Sequence, residues 1–244
     1  MTTSTMTTDP AGAAGIEPFT GFPRQGLDFL ARLRANNTKA FFDEHRAAYE
    51  SALLGPARAF VVALGEELRA RVSPAIRAEP RVDGSILRMN RDLRFSPERA
   101  PYKDHLHLVF WEGEAHSRER PCFSVRLRPE GIGLGAGIAR LEREALAAYR
   151  AAVVDERAGA ALEDALTRAA ALPKVSVSEP AFKRVPRGID PHHPRAALLR
   201  HGGVLVSGDW AVSREISSTR LVRWTAERLE AMAPVERWLT DVLP

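Results

Sequence analysis

The chain has 244 residues, of which 45% are hydrophobic and 27% charged, a composition typical of a globular protein with a buried core. Its 35 Lys and Arg residues against 31 Asp and Glu residues give a formal net charge of +4, which is low for a non-specific nucleic-acid binder. The one cysteine, Cys122, excludes an intrachain disulfide, and no apolar run is long enough to cross a bilayer. We therefore expect a cytoplasmic protein that does not enter the membrane.

The first residues have the composition of a disordered tail. Residues 1–16 are rich in Thr, Ala and Gly, and they lack the charged and apolar regions of a signal peptide. No internal repeat or linker divides the remainder, so residues 17–244 are predicted to form one domain.

Apolar residues recur at helical spacing near both ends of the chain. Asn36-Asn37-Thr38 interrupts the first of these patterns and supplies an N-cap for the next helix. The predicted helices are a segment from Phe22, then about Lys39–Leu53, a helix after Gly55-Pro56, Leu141–Val154, Ala158–Leu172, and a helical region after Ser217-Ser218 that Pro234 divides.

The middle of the chain alternates apolar and polar residues with the period of a strand. Such alternation buries one face of a sheet and exposes the other, which favours antiparallel pairing. The fold class is therefore α+β, with a mainly antiparallel sheet of roughly four to six strands packed by N-terminal and C-terminal helices. The predicted strands are Ser85–Phe95, Tyr102–Trp111, Cys122–Arg128, Ile132–Ile138 and Val204–Val212, with possible extended structure within Val175–Phe182.

Glycines occupy every second position from Gly131 to Gly137. The spacing formally matches a dinucleotide-binding loop, but that motif must follow a buried parallel strand and open a helix, and neither condition holds here. We interpret the stripe as a strand face that lets a helix or another backbone approach closely.

A first basic cluster lies between Arg88 and His105. Arg88, Arg91, Arg94 and Lys103 can converge around a strand–loop–strand corner, with Tyr102 as a hydroxyl donor and Asp92 orienting an arginine or acting as a base. Arg91 falls on the apolar face, where a guanidinium needs a partner or a bulge that turns it outward. The alternative is an internal salt-bridge network that uses Asp92, Glu98 and Asp104.

A second basic cluster begins at Lys183. The segment from 183 to 200 holds five basic residues and one acid, and it includes Lys183, Arg184 and Arg187. Such a run is usually a solvated loop, but Pro186 and Gly188 restrict the backbone, so these charges are expected to be positioned.

Three motifs resemble the DUF2461 family of conserved hypothetical proteins. Arg91-Asp92-Leu93-Arg94-Phe95-Ser96 with Pro101-Tyr102-Lys103 resembles its central signature, and Asn36-Asn37 with Phe41-Phe42 resembles its Asn-Asn-x-x-x-Trp-Phe segment, although Phe41 replaces the Trp. Phe182 to Gly188, followed by His193-Pro194, resembles its C-terminal signature. The resemblance covers roughly residues 19–239, and it implies motif positions but no reaction.

Two histidine pairs are candidate metal ligands. His105 and His107 share one strand face, whereas His192 and His193 are adjacent and point in different directions. Neither pair has a further ligand at a familiar zinc spacing, so no metal and no cofactor is predicted. The chain also lacks a Gly-x-Ser-x-Gly nucleophile motif, and no catalytic residue is assigned.

The leading hypothesis is that the two basic clusters face each other across one pocket that binds a small phosphate- or carboxylate-bearing molecule. A protein-interaction module with a structural Arg/Asp network and a weak nucleic-acid binder are the alternatives. Enzymatic activity and oligomeric state stay open. The predicted ligand-binding residues are Arg88, Arg91, Asp92, Arg94, Tyr102, Lys103, Lys183, Arg184 and Arg187.

Overall fold

A computed structural model describes residues 15–94, 100–114, 120–211 and 214–244. The predicted tail therefore lies outside the described residues, except for Gly15 and Ile16, and Ile16 packs against the core. Within the described ranges, no helix combines the length and the apolar composition that crossing a bilayer requires.

Helices form the N-terminal and C-terminal parts of the chain, as predicted. The helices are α1 Arg24–Ala35, α2 Lys39–Glu44, α3 Arg46–Tyr49, a π-helical turn Glu50–Leu54, α4 Gly55–Arg71, α5 Arg143–Val154, α6 Glu156–Ala170, a 3-10 turn Leu198–Arg200, and α7 Arg220–Val242.

Two helical predictions were wrong in detail. The single helix expected from Lys39 to Leu53 is divided at His45, whose ring Nδ1 bonds to the Phe41 carbonyl at 2.9 Å and whose ring stacks on Phe41. The helix boundary expected at Pro234 is absent, because α7 runs through it. Buried apolar residues continue on both sides of Pro234, so packing outweighs the roughly 3 kcal/mol that an interior proline costs.

Over the described ranges the sheet has five strands, and every neighbouring pair is antiparallel. Their spatial order is β1-β2-β3-β5-β4, so the chain crosses the sheet between β3 and β4. With helices packed on this sheet, the predicted α+β class is confirmed. The strands are β1 Leu106–Trp111, β2 Cys122–Arg128, β3 Gly131–Ile138, β4 Val175–Val177 and β5 Val204–Ala211.

The strand predicted from Ser85 to Phe95 is replaced by isolated bridges beside β1. Ile86 bridges to Leu108, and Asn90 bridges to Tyr102. The register shifts by two residues between these bridges, so the β1 side carries two extra residues. A bulge of this kind breaks a regular ladder. Phe95 itself lies outside the described residues.

One face of the sheet carries the core. Leu108, Val125 and Leu134 are aligned by register on this face and are at most 2% exposed. The helices pack here, as Met232 of α7 shows by lining one cavity together with Trp210. The opposite face carries His107, Arg126, Arg128 and Asp209, aligned with the glycine stripe of β3.

The glycine stripe lies close to the two neighbouring strands. A Cβ atom added to Gly133 would lie 2.6 Å from the Asp209 carboxylate, and one added to Gly135 would lie 3.0 Å from the Ser124 hydroxyl. At Gly131 and Gly137 it would meet the β5 backbone. The nearest atoms thus come from β2 and β5, and the stripe admits adjacent strands rather than a helix.

A buried carboxyl group in α7 predicts a pH-dependent stability. Glu236 is 1% exposed, and burial, with the Glu112 charge nearby, raises the pKa of its carboxyl from 4.5 to about 7. Between these values the native state holds a proton that the unfolded chain releases, so stability falls as the pH rises through this window. We expect Glu236→Gln to be more stable than the wild type at pH 8, by up to about 3 kcal/mol, with little difference below pH 4.5.

Urea unfolding at both pH values measures this effect. The control is Glu144→Gln, which removes the same charge from an exposed position of α5. Identical pH profiles for Glu236→Gln and Glu144→Gln would contradict the assignment.

Candidate functional site

The first basic cluster lies at the β1 edge of the sheet and is held by ion pairs. Arg88 Nε lies 2.8 Å from the Asp83 carboxylate, and Arg94 Nη2 lies 2.6 Å from that of Asp92. Lys103 Nζ donates a hydrogen bond of 2.7 Å to the Arg88 carbonyl. Each cation thus has an acceptor within its own cluster. Glu98, another predicted partner, lies outside the described residues.

Arg91 lies at the same corner, with its side chain 34% exposed. Its Nε donates to the Tyr102 carbonyl at 2.9 Å, and its Nη2 lies 3.9 Å from the Asp104 carboxylate. The sequence required a partner for this guanidinium, and a carbonyl and a carboxylate supply it. The Tyr102 ring is buried and stacks on Phe42 with ring centroids 4.4 Å apart, so Tyr102 anchors the corner to α2.

Asn37 fixes the corner from the side of the N-terminal helices. Its amide nitrogen donates to the Tyr102 carbonyl at 3.1 Å, and its amide oxygen accepts from the Tyr102 N–H at 3.0 Å. The side chain therefore bonds both polar groups of Tyr102, as a neighbouring strand would. The Asn36-Asn37 motif predicts a turn and a helix cap, and nothing local in the sequence indicates this contact across 65 positions.

The second basic cluster surrounds a cavity of about 590 Å³. The loop is shaped by a hydrogen bond of 2.9 Å from the Phe182 N–H to the Arg200 carbonyl, and by Gly188, whose φ of +85° favours glycine. Arg200 belongs to the basic segment from 183 to 200 and is not among the predicted ligand residues. The basic residues that line the cavity are Lys183, Arg184, Arg187 and Arg200.

No carboxylate neutralises this cavity among the described residues, because none of its four basic side chains forms an ion pair there. Asp190, the acid of this segment, accepts from the His192 N–H at 2.8 Å within its own turn. Arg195 does not line the cavity. Its Nε lies 2.8 Å from the Glu163 carboxylate, and its guanidinium also donates a hydrogen bond to the Glu156 carbonyl. The four lining cations thus share a cavity without an opposite charge.

The two basic clusters do not face each other. The first lies beside β1, and the second follows β4, which forms the opposite edge of the sheet. The two edge strands are four strand spacings apart, which at about 4.8 Å for each spacing is about 19 Å. The single shared pocket expected from the sequence is therefore not formed by the described residues.

The histidine pairs do not assemble a metal site. His105 Nδ1 lies 3.2 Å from Asp104, whereas His193 Nδ1 accepts from the Arg195 N–H at 3.0 Å. Within the part of the chain that the structure describes, no group of three or more His, Cys, Asp or Glu side chains is placed to hold a metal ion.

The role of Asn37 can be measured by mutation. Asn37→Ala removes both hydrogen bonds to Tyr102. The N–H and carbonyl of Tyr102 then have fewer hydrogen bonds in a part-buried position. We expect a loss of about 1–3 kcal/mol in urea unfolding. Asn36→Ala is the matched control, because the Asn36 side chain accepts a long bond of 3.3 Å from the Thr38 hydroxyl at an exposed position. Equal losses for the two variants would argue against the role given to Asn37.

Comparison with known families places these features in context. Residues 25–238 match the family described as "Conserved hypothetical protein (DUF2461)". No curated protein sequence matches the chain. The matched range includes the Asn37 contact, both basic clusters and all five strands. The chain belongs to the DUF2461 family of conserved hypothetical proteins.

Proposed function

We propose that the protein binds a small anionic ligand, bearing a phosphate or carboxylate group, in the cavity lined by Lys183, Arg184, Arg187 and Arg200. The observation that carries this proposal is the convergence of four cations on one cavity without an acidic partner among the described residues. An anion bound among these cations would supply the opposite charge that the described residues do not provide.

The size and chemistry of the cavity fit a small ligand. Its volume of about 590 Å³ falls within the usual range of small-molecule pockets. Arginine guanidinium groups suit the bidentate recognition of phosphate and carboxylate oxygens, and a lysine adds a compact point charge. Pro186 and Ile189 form part of the wall, so an apolar portion of the ligand would also find contacts.

In this proposal the corner at β1 has a structural role. Arg88, Arg94 and Lys103 hold neighbouring groups of the same corner, and Asp92 is engaged with Arg94. This arrangement agrees with the alternative of an internal Arg/Asp network more closely than with an open anion site. A ligand-binding role for these residues is the weaker of the two assignments.

Thermal unfolding with a ligand panel tests the proposed cavity. We expect pyrophosphate, a nucleotide, a sugar phosphate or a dicarboxylate to raise the melting temperature of the wild type, because a ligand that binds only the native state stabilises it by mass action. Arg187→Gln should remove at least half of the shift. Arg88→Gln, which removes the same charge at the corner, should keep it.

Two outcomes would count against the proposal. One is an absence of stabilisation by every anion class in the wild type. The other is an equal shift in Arg187→Gln and Arg88→Gln, which would show that the response is not located at the cavity. A short oligonucleotide in the same panel, measured at low and high salt, would identify nucleic-acid binding by a steep loss with added salt.

A further inference from the structure

Another cavity lies between α7 and the edge of the sheet formed by β4 and β5. Its volume of about 290 Å³ is close to the lower end of the range of small-molecule pockets. The charged residues of its wall are Glu227 and Arg228, which are neighbours on α7. The apolar part of the wall consists of Leu172, Pro173, Val175, Trp210, Ala231 and Met232.

Trp210 gives this cavity a flat aromatic surface. Its indole lies over Gly208, since a Cβ atom added to Gly208 would lie 2.6 Å from the ring atom Cη2 of Trp210. The Trp224 ring meets Trp210 edge-on, with ring centroids 5.6 Å apart and an interplanar angle of 88°. The indole is thus held between β5 and α7. A planar ring that enters the cavity would find an aromatic surface against which to stack.

Arg228 carries hydrogen-bond donors that no described residue uses. Its Cζ lies 3.8 Å from the ring centroid of Trp224 and 5.7 Å from that of Trp210. Nη1 donates to the Trp224 carbonyl at 2.9 Å, whereas Nε and Nη2 have no acceptor among the described residues. Stacking on a ring uses the face of a guanidinium, but its N–H groups lie in the plane and stay available. These donors suit acceptor atoms on the edge of a ligand.

Glu227 supplies an acceptor next to these donors. Its Oε1 accepts a hydrogen bond of 2.8 Å from Arg223 Nε, and this bond holds the pKa of the Glu227 carboxyl below its usual value, so the group is ionised at pH 7. The charges of Glu227 and Glu215 also act on Arg228. Both signs of charge are therefore present at this cavity, and a ligand with both an acceptor and a donor matches it better than a simple anion.

From this arrangement we infer that the cavity binds a planar nitrogen heterocycle that carries a carbonyl acceptor and an N–H donor on one edge, as the oxopurines do. The ring stacks against Trp210, Arg228 donates to the carbonyl oxygen and an adjacent ring nitrogen, and Glu227 accepts from the ring N–H. The cavity shares no wall residue with the one at Lys183, and its ligand needs no anionic group. The inference does not depend on the function proposed above.

Two nucleosides that differ only at this edge test the inference. Inosine has the carbonyl and the N–H, whereas purine riboside has the same rings and sugar without either group, and neither molecule carries a phosphate. In an NMR titration of the wild type, we expect inosine to shift the indole N–H signal of Trp210 saturably. The indole N–H of Trp238, which donates to the Ala158 carbonyl at 2.8 Å and does not line the cavity, should stay unchanged. Purine riboside should bind at least about tenfold more weakly, because the hydrogen bonds at the edge are lost.

Three variants locate the response. Arg228→Gln should weaken inosine binding at least about tenfold, because a charged donor is lost. Arg220→Gln, which removes the same charge from an exposed position of α7, should leave it unchanged. Ala231→Leu should also weaken binding, since the larger side chain fills part of the cavity, and it replaces Arg228→Gln if that variant does not fold.

Three results would overturn the inference. The first is the absence of a saturable shift of the Trp210 signal with inosine in the wild type. The second is equal affinity for inosine and purine riboside, which would show that the edge of the ring is not recognised. The third is inosine binding by Arg228→Gln, or by Ala231→Leu in its place, that is as tight as binding by Arg220→Gln.

Discussion

Burial of one face of the sheet is the constraint on which the rest of the structure depends. Leu108, Val125 and Leu134 face the helices, and a one-residue slip of β2 would replace Val125 and Leu127 on this face with Ser124 and Arg126. The register is therefore fixed by the core. The two basic clusters lie outside this core, beside the β1 edge and in the loop that follows β4.

The local alternation of apolar and polar residues was sufficient to predict the strands whose apolar face is buried in this way. The strand Cys122–Arg128 was predicted with its observed bounds, and β3 differs by one residue, because period-two alternation reports a half-buried strand directly. The corner before β1 could not be predicted in the same way. Its irregularity results from a two-residue register shift and from the long-range bonds of Asn37, neither of which leaves a periodic signal.

In the candidate site, too, local sequence features could be predicted and contacts between distant residues could not. Pro186 and Gly188 indicated a shaped loop at Lys183, Arg184 and Arg187, and all three residues line the cavity. The sequence could not show that Arg195 turns away to Glu163, a partner 32 positions distant. It also could not show that the strand order places the two basic clusters at opposite edges, because that order depends on a crossover between β3 and β4.

The two basic clusters differ in how their charge is balanced, and this difference supports the proposed function. At the β1 corner the cations are satisfied by neighbouring acids and carbonyls, which gives them a structural role. Around the Lys183 cavity, no acid of the described residues provides that balance. Basic groups without internal partners are the places where an external anion contributes most to the free energy.

The most direct test of the central claim is anomalous X-ray scattering from crystals that contain tungstate at a concentration near that of the protein. Tungstate is a heavy oxyanion, so its position can be located independently of any assumption about the natural ligand. The account predicts an anomalous peak in the cavity among Lys183, Arg187 and Arg200, lost in Arg187→Gln crystals. An empty cavity in the wild type, with tungstate bound at the β1 corner instead, would contradict it.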